Sequence, residues 1–451
     1  MVDVRSSAVI RPLPPPKVGV VLAAGQSERL REVTGGGSKA LVYLGGLRLV
    51  ERAIRTLLNL GLERVVVVVG FRGGPVAAVA QRVAPGRVKV VEAMDWSEGN
   101  GASLAAAETE LTGEPCFVLL NADHVFSERA LVELAESRQP SVLVDPDPDP
   151  DILGEATKVV LDSNGNVAEL GKSLRAPVAE CGAFLLPRSI FSALAESRRG
   201  GKGSLSAGLN ELTRSERLAP VNLQGSGWWQ DVDTPSDLAR AGRLLRRSLP
   251  RDADGPISRL LNRRISIPIS WLLSRFRPNP DVLSVLSLIV GLAGAFLLGR
   301  GEGVWGGVLV QICSILDGVD GEVARLSLRA GPRGTLWDGF LDRLGDAAIC
   351  AGLALWAADL GTEAEWVVGL AVAATAGAML SMATKDRVAV LGLEPPSERR
   401  IAWLLGGRDG RLLLIFVLAL VGEPLWALAV TAATSLFSSA IRVGFARNPP
   451  P

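Results

Sequence analysis

The sequence predicts an α/β domain of Rossmann type, followed by an all-α, six-helix transmembrane domain that is entered through an interfacial helix. Three observations carry this reading. The 451 residues are long for one domain and comfortable for two. Charged residues are dense up to about residue 264 and sparse beyond it, and a positive mean hydropathy of +0.29 with 48% hydrophobic residues points to a membrane portion. The first half carries short apolar runs broken by turns (VGVVLAAG, VVVVVG, FVLLN), whereas the second half carries apolar runs of bilayer-crossing length.

Composition narrows the function classes. Lys and Arg number 48 against 47 Asp and Glu, a balance that gives no field to attract a polyanion, so no nucleic-acid partner is expected. The four cysteines, Cys116, Cys181, Cys313 and Cys350, have neither metal-ligand nor disulfide spacing and read as reduced packing residues. The N-terminal stretch MVDVRSSAVIRPLPPPK has no apolar signal core, so the first domain is expected to stay in the cytoplasm.

Residues 1–16 end in a proline cluster and read as a loose leader. The first domain is expected over 17–245. It begins with an apolar strand running into the small residues Ala23, Ala24 and Gly25, where backbone amides can approach a phosphate, with Arg29 and Lys39 following. Gly99, Asn100 and Gly101 stand before a helical run, and FVLLNADHV reads as a buried strand ending in Asp123, the kind of position where open α/β sheets place ligands. The lone His124 beside it reads as a packing or hydrogen-bonding neighbour, without a catalytic assignment. DPDPDPD at 145–151 reads as an exposed, extended loop, and Asn164-Gly165 as the turn of a β-hairpin. Asp231 and Asp233 fall at a strand end ahead of a helix capped by Thr234 or Ser236.

Residues 246–255 read as a linker, and 256–278, where arginines alternate with apolar residues, as an amphipathic helix lying along the membrane. Apolar segments at about 282–299, 303–324, 336–358, 364–384, 411–422 and 424–441 give six crossings within a domain ending near 446. Arginines gather at alternate loops, which under the positive-inside rule places both termini and the loop beyond Arg325 on the cytoplasmic side of the cell membrane.

Within the membrane half, four carboxylates need a reason. Asp317 and Asp320 stand at i and i+3 with Gly321 beside them, and Asp338 and Asp342 at i and i+4 of the next helix, so each pair shares a face. Converging negative groups repel unless cations are bound, and carboxylate-only ligation suits Mg²⁺ or Mn²⁺. Gly321 leaves room for a ligand, and Arg325 offers a planar fork to phosphate.

The spacing Asp-x2-Asp-Gly-x2-Ala-Arg-x8-Gly-x3-Asp-x3-Asp, from Asp317 to Asp342, resembles the signature of the CDP-alcohol phosphotransferases, membrane enzymes that displace CMP from a CDP-linked alcohol with a second alcohol. The resemblance implies that Asp317, Asp320, Asp338 and Asp342 hold two metal ions, that Asp342 is also the base, and that Gly321 and Arg325 contact the CDP moiety. It further implies a homodimer formed through the membrane helices. TKDRVAVLG at 384–392 is similar to the segment of members that use inositol phosphate, which implies that Lys385 and Arg387, with Arg408 or Arg411, bind the acceptor's phosphate.

LAAGQSERL with Lys39, the GNG segment, Asp123 and Asp233 resembles the nucleotidyltransferases, closest to the inositol-1-phosphate cytidylyltransferases. That implies a triphosphate cradled at Ala23–Gly25 and Arg29, a catalytic Lys39, nucleotide recognition by Gly99–Gly101, and at least one Mg²⁺ on Asp123 and Asp233. The two halves together resemble the bifunctional enzymes of a compatible-solute pathway. CTP and inositol-1-phosphate would give CDP-inositol, and transfer to a second inositol-1-phosphate would give phosphorylated di-myo-inositol phosphate and CMP. Two other readings stand beside it: a CDP-diacylglycerol-dependent enzyme making a phosphoinositide lipid, and a divalent-cation transporter with a sensing domain.

Overall fold

The computed structural model describes residues 12–26, 29–223, 227–251, 254–393 and 407–447. Most of the expected leader, residues 1–11, lies outside the described residues. Leu13, within it, donates its N–H to Arg138 O at 2.7 Å, and Pro14 O accepts from the Cys116 thiol. The chain divides into two compact units, Met1–Leu245 and Arg246–Pro451.

The first unit contains strands β1 (Val18–Ala23), β2 (Tyr43–Leu44), β3 (Leu47–Arg48), β4 (Arg64–Val69), β5 (Val88–Glu92), β6 (Cys116–Asn121), β7 (His124–Phe126), β8 (Ser141–Asp145), β9 (Lys158–Leu161), β10 (Val167–Gly171), β11 (Val178–Pro187), β12 (Ala219–Asn222) and β13 (Trp229–Asp231). Nine of them form one sheet in the order β10-β9-β11-β6-β1-β4-β5, with β8 added beside β11 and β12 beside β8. β1, β4, β5 and β6 are parallel, and β11 runs antiparallel to β6.

The near-continuous apolar runs of β1, β4 and β6 follow from burial on both faces. Successive residues point to opposite sides: Val20, Val66 and Leu119 enter one core with Leu104 and Leu194, while Val21, Val67 and Leu120 enter the other with Ile54 and Leu131. Parallel pairing aligns the C-terminal ends of β1 and β6, and Ala122 N–H bonds Leu22 O at 2.9 Å. Ala24 and Asp123 therefore emerge at one edge.

Two turns were legible and one was not. The β9–β10 hairpin turns at Asn164-Gly165, where Gly165 takes φ +78° and Asp162 Oδ1 accepts from the N–H groups of Asn164 and Asn166. Thr234 caps the helix Pro235–Arg247 by accepting from Asp237 N–H, and the Asp237 carboxylate returns to Thr234. The DPDPDPD run is only partly the exposed loop expected. Asp145 ends β8 and accepts from the Trp229 indole, while Asp149 caps a helix that starts at Pro150, a position where proline loses no hydrogen bond.

The second unit is helical: α1 (Arg263–Ser274), α2 (Pro280–Gly299), α3 (Gly303–Leu326), α4 (Pro332–Asp359), α5 (Ala364–Val390), α6 (Arg408–Leu420) and α7 (Pro424–Phe445). Of the six crossings expected from sequence, four described helices, α2, α3, α5 and α7, are long and apolar enough. α4 has the length at 28 residues, but Asp338, Asp342, Arg343 and Asp346 dilute its first half; α6 has 13 described residues, and 394–406 before it lie outside the described set. Phe296, Trp305, Phe340, Trp366, Trp426 and Phe437 stand exposed on these helices, the reverse of a water-soluble bundle.

The expected interfacial segment is a π-turn, Ser258–Asn262, continuing into α1 around Pro268. Its polar residues are the buried ones: Ser258, Asn262, Ser266, Ser270 and Ser274 recur every fourth position, while Leu261, Ile265, Leu272 and Phe276 face outward. The buried stripe meets Glu322 of α3, whose carboxylate accepts from Arg263 Nη1 at 2.8 Å, Ser266 at 2.7 Å and Ser270 at 2.6 Å. A fully buried charge is thereby paired and hydrogen-bonded.

Candidate active sites

In the first unit, the chain leaves β6 through Asn121-Ala122-Asp123 and re-enters as β7, which pairs with β13 so that His124 lies opposite Asp231. Val232 N–H bonds Asp123 O at 3.0 Å. This ribbon sets Asp123, Asp231 and Asp233 around one cavity of about 740 Å³, which Gly25, Lys39, Asn100, Lys172 and Glu180 also line.

Asp123, His124 and Asp231 offer three ligand atoms within 4.8 Å of one another. His124 Nδ1 is 2.7 Å from Asp123 Oδ1 and 3.7 Å from Asp231 Oδ1. Lys39, at a 3₁₀ turn capped by Ser38, bridges the carboxylates of Asp123 and Asp233, and Arg29 reaches Asp233 Oδ2 at 2.6 Å. Burial alone would raise the Asp123 carboxyl, but the Lys39 ammonium and His124 hold it well below the usual range. Burial pushes Asp231 up to about 6 against the pull of His124. Burial would lower His124, and the carboxylates of Asp231 and Asp123 overcome it, raising the ring to about 9. The two carboxylates thus favour the protonated ring, and His124 sits as the hydrogen-bonding neighbour of Asp123 that the sequence suggests.

The His124 ring stacks on Trp229 with centroids 5.8 Å apart and rests against Gly182, whose φ is +79°. A Cβ at Gly182 would fall 2.4 Å from His124 Cδ2. Gly182→Ala is expected to destabilise the unit by about 1–3 kcal/mol through strain and overlap, and to cut the activity of this site at least about tenfold. Thermal melting and an activity assay check this, and wild-type values in both would remove the ring from the site's architecture.

The remaining expected nucleotide contacts divide. Ala23 and Ala24 are buried at the end of β1, and Gly25 opens on the cavity with no atom within 4 Å of a built Cβ. The helix after this turn, Arg31–Thr34, is a single turn, and Ser27 and Glu28 lie outside the described residues. Asn100 lines the cavity. Gly99 and Gly101 instead pack on the backbone of Gly203–Ser204, where a Cβ at Gly101 would be 2.6 Å from Gly203 O.

In the second unit, α2 packs against both α3 and α4. Across that arrangement Asp317 of α3 and Asp338 and Asp342 of α4 bring carboxylate oxygens within 4.8 Å of one another. Asp320 is buried and accepts from Ser284 of α2. The donor set is all carboxylate, which fits a hard divalent ion.

Arg408 and Arg411, expected at the acceptor phosphate, face this cluster. Arg408 lies 2.9 Å from each of Asp317, Asp342 and Asp346, and Arg411 lies 3.7 Å from Asp346. Asp346 was not singled out from sequence, although it continues the i+4 series of Asp338 and Asp342; Arg343 joins it at 3.1 Å. Lys385 and Arg387 are exposed near the end of α5. Arg325 turns toward Gly321, its Nη1 3.3 Å from a Cβ built there, and its Nε and Nη2 are buried without hydrogen-bond partners.

Both units match known protein families. Residues 19–214 match the MobA-like NTP transferase domain and 278–398 the CDP-alcohol phosphatidyltransferase family. The bifunctional IPC transferase and DIPP synthase of Rubrobacter xylanophilus is 40% identical, over 92% of this chain and 92% of that protein. The chain belongs to the bifunctional IPC transferase and DIPP synthase family. The Aquifex aeolicus protein of that name is 31% identical over 90% of this chain and 92% of its own. A solved inositol-1-phosphate CTP transferase from T. maritima aligns with TM-score 0.46 and 24% identity, over 51% of this chain and 96% of that one.

This family member is therefore an enzyme with a nucleotidyltransferase domain and a membrane-embedded CDP-alcohol phosphotransferase domain. Asp123 falls within the first matched segment and the Asp317–Asp346 series within the second. Asp231 and Asp233 lie beyond the first match, and Arg408 and Arg411 beyond the second.

Proposed function

We propose that the first unit joins CTP and inositol-1-phosphate to give CDP-inositol and pyrophosphate. The second then transfers phosphoinositol from CDP-inositol to another inositol-1-phosphate, giving phosphorylated di-myo-inositol phosphate and CMP. The observation that carries this is the meeting of Asp317, Asp338 and Asp342 in a chain that also gathers Asp123, Asp231 and Asp233 around a cavity. One domain would make the donor that the other consumes.

In the first step the phosphate oxygen of inositol-1-phosphate attacks the α-phosphorus of CTP, and pyrophosphate departs. Lys39 and Arg29 supply positive charge to the triphosphate, and Glu180 and Lys172 face the polyol. Asp123 and Asp233, with Asp231 and His124 beside them, would hold Mg²⁺. In the second step Asp342 takes the acceptor hydroxyl proton. The acceptor oxygen bonds to the phosphorus carrying inositol, the bridging P–O bond breaks, and CMP leaves.

Asp317, Asp320, Asp338 and Asp342 would hold two Mg²⁺ or Mn²⁺ ions, which supply neutralisation of the diphosphate's charge. Arg325 beside Gly321 contacts the nucleotide; Lys385 and Arg387, with Arg408 or Arg411, hold the acceptor's phosphate. The membrane domain crosses six times, α1 lies along the interface, both sites face the cytoplasm, and two copies pair through the membrane helices. The exposed apolar surface of α2 to α7 and the arginine-rich alternate loops support this arrangement.

Purified protein given CTP, inositol-1-phosphate and Mg²⁺ without any lipid donor is expected to form a soluble phosphodiester visible by ³¹P NMR, and chelation should stop both steps. A product that requires CDP-diacylglycerol would replace this reading with the lipid one. Absence of any CTP turnover would remove both.

A further inference from the structure

Resting on the reading of the membrane site above, we infer that Arg251, in the segment joining the two units, is a further nucleotide-binding residue of the CDP-alcohol site. It would act with Arg325 to grip a phosphate of the bound nucleoside diphosphate over Gly321.

Residues 246–255 read from sequence as a plain linker, but part of the segment is built into the second unit. Asp254 is the anchor. Its carboxylate accepts from Arg251 N–H at 2.9 Å and from Arg263 Nε at 2.9 Å, its own N–H donates to Arg251 O at 3.0 Å, and Arg259 Nη2 donates to the same carbonyl at 3.1 Å. The backbone of Arg251 is thus held by three hydrogen bonds, which leaves the side chain as the group that projects.

That side chain points at Gly321. A Cβ built on Gly321 would lie 3.6 Å from Arg251 Nη2 and 3.3 Å from Arg325 Nη1, so two guanidinium groups flank the glycine that leaves room for a ligand. The Arg251 charge is close enough to act on both Arg325 and Asp338.

The neighbouring cations differ in how they are balanced. Arg263 is neutralised by Asp254 and Glu322, whereas among the described residues neither Arg251 nor Arg325 has a carboxylate partner. Two like charges held together at a partly buried site repel, and an anion between them relieves the repulsion. Guanidinium forks match phosphate oxygens in geometry. Gly321 follows Asp320 directly on α3, so a diphosphate held by the two arginines would have the carboxylates of Asp317, Asp320, Asp338 and Asp342 nearby to hold its metal ions.

The test uses the full-length protein in nanodiscs, with CMP and CDP as calorimetric probes. Arg251→Ala is expected to weaken CMP binding about tenfold or more and to raise KM for the CDP-linked polyol with little change in kcat, and Arg251→Lys to recover part of the loss. KM for the inositol phosphate acceptor and the CTP-dependent step should stay at wild-type values, which also reports that the variant folds. Wild-type CMP affinity in Arg251→Ala, or a change confined to the acceptor's KM, overturns the inference while leaving the proposed function intact. A change seen only as altered dependence on anionic lipid, with CMP affinity kept, also overturns it, because the phosphate held would then be a headgroup. Failure of the wild type to bind CMP or CDP would instead overturn the proposed function itself.

Discussion

Asp342→Asn is expected to make CDP-inositol accumulate while the phosphodiester disappears. Asparagine keeps the size of the side chain and can still accept from Arg408, which lies 2.9 Å from the Asp342 carboxylate, but it cannot take a proton from the acceptor hydroxyl. A positioned general base contributes roughly 10²–10⁴-fold, so transfer should fall by about that factor, and further if a metal ligand is also weakened. The CTP-dependent step uses none of the carboxylates on α4 and should be unaffected. A ³¹P NMR time course that shows the CDP-polyol resonances rising without a diester checks this. Diester formation at the wild-type rate would take the base role away from Asp342.

The converse holds for Asp123→Ala. It removes the carboxylate on which Lys39 and His124 both converge, so the compact donor set of Asp123, His124 and Asp231 is reduced to two members. Loss of the charge that positions metal and lysine should lower synthesis from CTP by at least about 10²–10³-fold. Transfer from supplied CDP-inositol should proceed normally. Thermal melting is expected to change little, because Lys39 keeps Asp233 and His124 keeps Asp231 as partners. Coupled assays of both variants are the sharper comparison: if each abolishes both steps, the division of labour between the units is wrong.

Much of this molecule was legible along the chain because the relevant signals are local. The buried runs of β1, β4 and β6 could only be strands covered on both faces. The spacing of Asp338 and Asp342 put them on one side of one helix, and the Asn164-Gly165 turn announced its hairpin. The DPDPDPD run misled because alternating prolines look the same whether they stay extended or, as Pro150 does, open a helix behind a capping aspartate. α4 reads as less apolar than its neighbours because Asp338, Asp342, Arg343 and Asp346 occupy positions that apolar residues would otherwise fill.

Other partnerships required the folded chain. His124 and Asp231 are more than a hundred residues apart and meet only because β7 pairs with β13. Arg408 meets Asp317, Asp342 and Asp346 because α6 returns to α3. Arg251 reaches Gly321 only because Asp254 fixes its turn.

By itself, the sequence determined the order of the two domains, the membrane character of the second and the identity of the acidic residues, since hydropathy and helical period are properties of neighbouring residues. The tertiary structure decided which charges face one another, that Glu322 is buried beneath a stripe of serines, and which arginines, among the described residues, have no carboxylate beside them. Those outcomes depend on strand pairing and helix packing between distant segments, and the pattern of adjacent residues does not encode them.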